Sequence, residues 1–462
     1  MKRVNFYLVL VCGGVLLGLV LFGGERLGAE TAVPQTTAPG WTTPQMVSPT
    51  IPNAKRPVMK ADPSQPGRLM ILFVSHNSDT LARALNPYYT VSTDNGQSWS
   101  APAAIRQSPV ESKQLNFAFD NQGVAHAVWR EGDSLTSLAY SNSNDWQANY
   151  RALTSLGNPG VTSPVIAADG NNIHLVWSEA DVNSPDPDRR ESNIYYLRST
   201  DRGASWPPSS TILTMSAGAE SPYLVVDSNG HLHLVWQELS NVVFDPDTGQ
   251  PIGVYFQVKY MRGNVTSGSV SWSSPISLSS LIQTGGIPFN AQEPRSLAEG
   301  GQLVVSFTTI LNPDDGYGQQ SIYLMRCQAN CQNLGSWTNF NGISGAALFV
   351  NIEPVNLASN LVRTISCVDV FFDGATEENI ARNEQVWLQS SCTGWSAART
   401  PITPEIVRAL RPSADVLNRW TYLAYEEVTR LDDGNGNITN QNKIFFMAYE
   451  SDGRLLLPII RK

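Results

Sequence analysis

An eight-residue pattern, S-x-D-x-G-x-x-W, occurs twice in the chain, as Ser92-Thr93-Asp94-Asn95-Gly96-Gln97-Ser98-Trp99 and as Ser199-Thr200-Asp201-Arg202-Gly203-Ala204-Ser205-Trp206. Each fixed position has a physical reason. A hydroxyl and a carboxylate accept the N–H groups of a tight turn, glycine tolerates positive φ, and an indole covers the hairpin and fills space beside a neighbouring sheet. The second copy closes a complete unit. Pro164 to Ala168 is short and apolar, Asp169 to Asn172 supplies turn chemistry, and Ile173 to Glu179 is rich in β-branched and aromatic residues. An acidic, Pro-containing loop, Asp181 to Ser192, then leads to a third strand, Ile194 to Ser199, and the turn leads to a fourth.

Aligning the chain on this unit gives strand openings at Arg56-Pro57, Gln114-Leu115, Ser163-Pro164, Ser221-Pro222, Glu293-Pro294, Glu353-Pro354 and Arg411-Pro412. The closing tryptophans are Trp99, Trp146, Trp206, Trp272, Trp337 and Trp395, one fewer than the openings. Trp41 supplies the seventh, because Trp41-Thr42-Thr43-Pro44 repeats Trp99-Ser100-Ala101-Pro102. Self-similarity of this kind overrides the three domains that length alone suggests. The expected fold is all-β: a seven-bladed β-propeller of four-stranded antiparallel blades, closed by an N-terminal strand near residues 41–50. Ring closure removes the sheet edges that an open array presents.

The two complete turns resemble the Asp-box repeat, found in the superfamily of β-propellers that includes the sialidases. That resemblance implies the fold and assigns Ser92, Asp94, Gly96, Trp99, Ser199, Asp201, Gly203 and Trp206 to structural turns. Because sialidases have six blades, it also raises a six-bladed ring as the alternative count, with Leu455 to Ile460 available as the last outer strand. A sialidase grips a carboxylate with three arginines, uses a Tyr–Glu pair as nucleophile and an Asp as acid. The resemblance points to Arg56 and Arg411 as arginines, Tyr422 or Tyr425 as nucleophile, Glu293 as its partner and Asp79 as acid. Two departures count against hydrolysis. The family's Arg-Ile-Pro is here Lys55-Arg56-Pro57, one residue out of register, and Thr308-Thr309 stand where a second arginine is required.

In such a blade the opening of the first strand shares a face with the loop between second and third strands, and the Asp-box turn lies opposite. The expected binding face therefore carries the strand openings and a repeated acidic position, Glu131, Glu179, Glu238 and Glu427, together with Glu353. These carboxylates suit a cation, a basic peptide or sugar hydroxyls, or they accept donors within the fold, as repeated residues usually do. His126, His174 and His233 share one strand position and read as packing residues.

The first 29 residues are basic at Lys2 and Arg3 and uncharged from Val4 to Gly24, as in a signal peptide or a membrane anchor. Residues 30–54 form a Thr/Pro-rich linker, leaving 55–462 for the propeller. The expected location is outside the cell, secreted or held on the outer face of the cytoplasmic membrane, with membrane contact only through the N-terminal segment. Without residues 1–29 the chain is two units more negative than its formal −9, which leaves no electrostatic footprint for nucleic acid. The even set Cys327, Cys331, Cys367 and Cys392 allows three pairings, of which Cys327–Cys331 with Cys367–Cys392 keeps each bridge within a repeat. Zinc is the weaker alternative for these cysteines, as no histidine lies near, and Asp433, Asn435 and Asn437 alternate as in half of a calcium loop but lack its terminal glutamate, so the expectation is no cofactor, with a polar β-turn favoured there over calcium. The expectation is a monomeric module that binds glycan or extracellular protein without catalysis, with an exo-acting glycoside hydrolase of sialidase type as the alternative.

Overall fold

The computed structural model describes residues 38–450 except 39, 77–83, 133–135, 155–159, 181–191, 215–217, 245, 247–250, 283–289, 300, 312–318, 341–357, 363–366, 375–384, 391–399, 405–406 and 433–437. Among the described residues the strands form seven antiparallel sheets. Their first strands are Lys55–Ala61, Ser112–Phe119, Val161–Asp169, Ala219–Val226, Asn290–Glu299, Ala358–Val362 and Arg408–Leu417. In six sheets the chain runs through four strands in order, with Ile276–Ser277 as an extra strand in the fourth sheet. In the seventh, Arg408–Leu417, Trp420–Asp432 and Ile438–Glu450 are completed from the other end of the chain by Gln45–Met46, with Gln45 opposite Phe446.

The first strands lie against one another in sequence order, and Arg408–Leu417 in turn touches Lys55–Ala61. The core lies between neighbouring sheets rather than inside any one of them. Trp129 packs with Met70 and Leu72 of the preceding sheet, Trp177 with Val128 and Tyr140, and Trp236 with Val165 and Val176. A strand with alternating faces buries one set of side chains backward and the other forward, so each sheet is stable only between two others.

The turn tryptophans make the outer part of this packing. Trp99 meets Phe446, Trp206 meets Tyr140, Trp272 meets Tyr196 and Trp337 meets Tyr260, all edge to face at 4.9–5.3 Å, in each case on the preceding sheet. Trp41 meets Phe371 of the sixth sheet edge to face at 5.9 Å. The turns bond internally as their residue types suggest. Ser92 and Ser199 accept the N–H groups of Gly96 and Gly203 at 2.8 and 2.9 Å, while Asp94 and Asp201 accept those of Ser98 and Ser205 at 2.9 Å. Gly96 and Gly203 have φ of 84° and 78°, and a Cβ there would stand 2.1 Å from Phe446 and 1.8 Å from Tyr140. Only glycine meets both demands.

Cys327 and Cys331 are joined by a disulfide. Cys392 lies outside the described residues, as do Asp79, Glu353, Asp433, Asn435 and Asn437.

Candidate functional site at the strand openings

Strand register fixes which groups share a face. In the third sheet Val161 pairs with Glu179 and Ala180 with Ser192, whereas Asp169 pairs with Asn172 and Ile173 with Ser199. The strand opening, the repeated glutamate and the loop after it are therefore at one end, and the S-x-D-x-G-x-x-W turn is at the other.

At that first end each described opening carries a bulge. Register shifts fall at Lys55/Val58, Lys113/Asn116, Thr162/Val165, Glu220/Tyr223, Gln292/Arg295 and Leu410/Ser413. Within them Arg56, Gln114, Ser163, Ser221, Glu293 and Arg411 all have left-handed backbone, with φ between 49° and 55°. None is glycine or asparagine, so each position carries a local cost of about 1–3 kcal/mol. Five of the six precede proline, whose missing N–H does no harm where the ladder is already interrupted.

Four of the six bulge N–H groups are turned toward the preceding sheet, which caps them. Arg56 N donates to Glu426 Oε2 at 3.0 Å, and Ser163 N to Gln114 Oε1, Glu293 N to Gln237 Oε1 and Arg411 N to Asp373 Oδ2, each at 2.9 Å. Glu426 is wholly buried and also accepts from Arg411 Nη1 at 3.0 Å and from Asn442 Nδ2. One carboxylate thus joins the seventh sheet to the first. A buried charge is tolerable here because every neighbour donates to it.

The repeated glutamates sit one position further on and face the opposite way. Glu131 accepts from Arg106 Nε at 3.0 Å and from the Tyr150 hydroxyl at 2.5 Å, and the Arg106 guanidinium lies 3.6 Å over the Tyr150 ring. Glu179 and Glu238 accept from the indoles of Trp177 and Trp236, two residues earlier on the same strand face, at 3.1 and 3.2 Å. In the seventh sheet the aromatic is Tyr425. It is fully buried, and among the described residues neither its hydroxyl nor Glu427 Oε2 has a hydrogen-bond partner. Burial pushes the Glu427 carboxyl up to about 7.

The sequence-based candidates thus separate. Arg56, Arg411 and Glu293 share the bulge ring, and Arg56 is exposed. Glu293 pairs with Arg295 at 3.2 Å and accepts from Ser221 at 3.3 Å. Tyr422 is at the other end: it is buried, and its hydroxyl donates to Asn95 in the first sheet's turn at 2.8 Å. Burial pushes its pKa up to about 12. The three repeated histidines do more than pack, since their Nδ1 atoms lie 2.7–2.9 Å from the hydroxyls of Tyr140, Tyr196 and Tyr260. His126 and His233 also reach Asp120 and Asp227, at 3.0 and 3.2 Å. Among the described residues no group of three or more His, Cys, Asp or Glu is placed to hold a metal ion.

The capping residues Glu426, Gln237 and Asp373 were not among the candidates drawn from the sequence. Alternation offered the signal: in Tyr425-Glu426-Glu427 the middle residue necessarily faces the other neighbour.

No protein-family model matches the chain, and no curated protein sequence matches it. Solved structures do. An ulvan lyase of polysaccharide lyase family 25 aligns with a TM-score of 0.55 at 10% identity, over 86% of this chain and 94% of that one. This likeness shows the fold: the chain is β-propeller-like. A sialidase of Trypanosoma rangeli aligns at 0.44 with 10% identity, over 86% of this chain and 55% of that one. The NanB sialidase of Streptococcus pneumoniae aligns at 0.46 with 12% identity, over 88% and 71%. This chain spans little more than half the length of the first of these sialidases.

Proposed function

We propose that the chain is an exported, seven-bladed Asp-box β-propeller that binds glycan or protein, without catalysis, through the face carrying the strand-opening bulges. One observation carries this reading. The bulge backbone is the same in six sheets, yet the side chains placed on it are Arg, Gln, Ser, Ser, Glu and Arg, where backbone geometry alone would favour glycine. A bulge re-aims a side chain. The six bulges place a varied set of polar residues at one end of the sheets, and variety within a repeat is what a binding surface adds to a scaffold. The cyclic packing of the first strands and the completion of the seventh sheet by Gln45–Met46 support the blade count and its closure.

Carbohydrate is the ligand class to test first, and the ulvan lyase, solved with the repeat -[GlcA(1-4)Rha3S]- bound, suggests uronate-containing probes beside sialosides. The test is an immobilised glycan panel containing sialyllactose and an ulvan oligosaccharide, probed with the full chain and with Arg56→Ala and Asp201→Ala. Retention of a probe that falls at least about tenfold in Arg56→Ala and persists in Asp201→Ala is the expected result. Equal retention by the Arg56 variant, or selective loss in the folded Asp201 variant, refutes the choice of face.

A second reading, an exo-acting glycoside hydrolase, draws on Tyr425 and Glu427: among the described residues the Tyr425 hydroxyl and Glu427 Oε2 have no hydrogen-bond partner, whereas Glu179 and Glu238 accept from an indole. Hydrolysis of a fluorogenic sialoside that disappears in Tyr425→Phe would establish it and remove the non-catalytic reading. The expected outcome is no turnover above background, because an arginine fork is missing at Thr308.

A further inference from the structure

In the fifth sheet a disulfide stands where the first and third sheets have a hydrogen bond. The third strand of each sheet ends opposite the start of the second: Ser92 pairs with Leu69, Ser199 with Ile173 and Cys327 with Leu303. Cys327 therefore occupies the position of the serine that opens the S-x-D-x-G-x-x-W turn. Three residues on, Asn95, Arg202 and Asn330 all have left-handed backbone, with φ of 58°, 60° and 55°. Four residues on, at the position of Gly96 and Gly203, is Cys331. Ser92 and Ser199 hold their turns by accepting the glycine N–H, whereas the S–S bond of Cys327 and Cys331 spans the same two positions covalently. The second turn acceptor is missing as well, since Ala329 stands where the others have Asp94 and Asp201. The closing tryptophan is tied to this bond. Trp337 Nε1 donates to Cys331 O at 2.8 Å, while the indole N–H groups of Trp99 and Trp206 have no partner among the described residues. Trp337 is buried and meets Tyr260 of the fourth sheet at 5.2 Å.

We propose that Cys327–Cys331 is a redox-sensitive joint: its reduction by a dithiol frees the turn of the fifth sheet and loosens Trp337 from the fourth. The exchange balances without another reactant. A thiolate of the dithiol attacks one sulfur, its second thiol displaces the mixed disulfide, and the reductant leaves as a cyclic disulfide. Cys327 and Cys331 take up the two electrons and two protons as thiols. Nothing in the turn then replaces the lost bond. Cys327 Sγ lies 3.3 Å from Ala329 O, where a thiol donates weakly, and sulfur is too weak an acceptor to do what the serine hydroxyl does in the other turns. Both cysteines are buried, but Gln328, Ala329 and Asn330 between them are exposed, so a reductant needs movement of the turn alone to reach the bond. The hydrogen-bonded turns of the first and third sheets do not respond to reduction, which confines the effect to one seam. That seam is at the end away from the bulges, and the inference does not depend on the function proposed for them.

The test treats the folded full chain with dithiothreitol, locates the reduced cysteines by thiol labelling and mass spectrometry, and follows urea unfolding and amide exchange. Two double variants accompany it: Cys327→Ala with Cys331→Ala, which mimics the reduced turn, and Cys327→Ser with Cys331→Gly, which restores the serine and glycine of the other turns. Reduction of the wild type should lower the folding equilibrium constant roughly tenfold to hundredfold and speed exchange in Gln319–Cys327 and Trp337–Phe340. The alanine pair should match the reduced wild type and be indifferent to dithiothreitol, and the serine–glycine pair should recover part of the loss and be equally indifferent. If the alanine pair does not fold, exchange in the reduced wild type decides alone. Resistance of the pair to reduction in the folded chain, an unchanged midpoint and unchanged exchange once it is reduced, or an equal response to dithiothreitol in the alanine pair would each overturn the proposal.

Discussion

Removing Trp41 tests whether the N-terminal strand holds the array together or merely rests on it. Trp41 is half-buried, forms a bridge with Tyr449, and packs at 5.9 Å against both Phe371 and Tyr449. Each aromatic pair is worth about 0.5–1.5 kcal/mol, and truncation of a fully buried aromatic costs about 3–5 kcal/mol. Partial burial brings the expected cost of Trp41→Ala to about 2–3 kcal/mol, close to that of Trp206→Ala, which has one aromatic partner at 4.9 Å. Deleting residues 31–50 goes further. It removes buried Val47 and Ser48, the bonds Thr42 N to Ala448 O, Val47 N to Ile444 O and Ile444 N to Ser48 Oγ, and two acceptors of Lys443. It also exposes the edge of Ile438–Glu450, an open template for association. Urea unfolding followed by tryptophan fluorescence should show a lower midpoint for Trp41→Ala and Trp206→Ala alike. The deletion should show the lowest midpoint, with faster amide exchange along Ile438–Glu450. A wild-type midpoint for both Trp41→Ala and the deletion, with Trp206→Ala destabilised, would refute closure by this strand.

Three further outcomes follow from hydrogen bonding and charge. Ser199→Ala should cost about 1–2 kcal/mol, because its buried Oγ satisfies the Gly203 N–H, and Asp201→Ala should cost less, since that carboxylate is exposed; equal urea midpoints for the two would contradict this ranking. The Ser98 hydroxyl, the Ser98 N–H and the Ser92 hydroxyl lower the Asp94 pKa to about 2, so its contribution is intact above the unfolded value near 4 and is lost as pH falls toward 2. Asp94→Asn should therefore lose less stability than wild type between pH 5 and 2, and parallel curves would refute the assignment. Glu427 has the opposite sign: its folded pKa is raised by burial, so the carboxyl weakens the fold progressively as pH rises from about 4.5 to about 7. Glu427→Gln should match wild type at pH 4 and exceed it at pH 8, and an unchanged difference across that range would show that the carboxyl is paired.

The sheet order was legible because two signals recur with the blade. An X-Pro opens the innermost strand where a bulge makes the missing N–H harmless, and a tryptophan closes the turn where it meets the preceding sheet. The left-handed backbone at Arg56, Gln114, Ser163, Ser221, Glu293 and Arg411 was not legible, since none of these residue types favours it and the preference comes from the packing of neighbouring strands. Position on the strand misled in one respect. Tyr422 and Tyr425 are three residues apart, so they face opposite neighbours, and only Tyr425 stands beside the glutamate end. The same rule explains the glutamates. Glu179 and Glu238 lie two residues after a tryptophan and on its face, so the indole reaches them within one strand.

Glu427 marks where that repeat logic is broken. Tyrosine in place of tryptophan at position 425 keeps the aromatic volume facing the sixth sheet but moves the donor, and among the described residues Oε2 of the carboxylate behind it has no partner. In the adjacent register the chain spends another glutamate, Glu426, on fixing the seventh sheet to the first through Arg56 N and Arg411. The sheet built from both ends of the chain therefore holds two neighbouring carboxylates in opposite conditions, one with three donors and one that, among the described residues, has no partner for Oε2. The first is needed wherever two sheets must be held in register. The second costs stability at neutral pH with no structural return, and a residue retained on those terms is where a function of the bulge-bearing face would depart from the repeat.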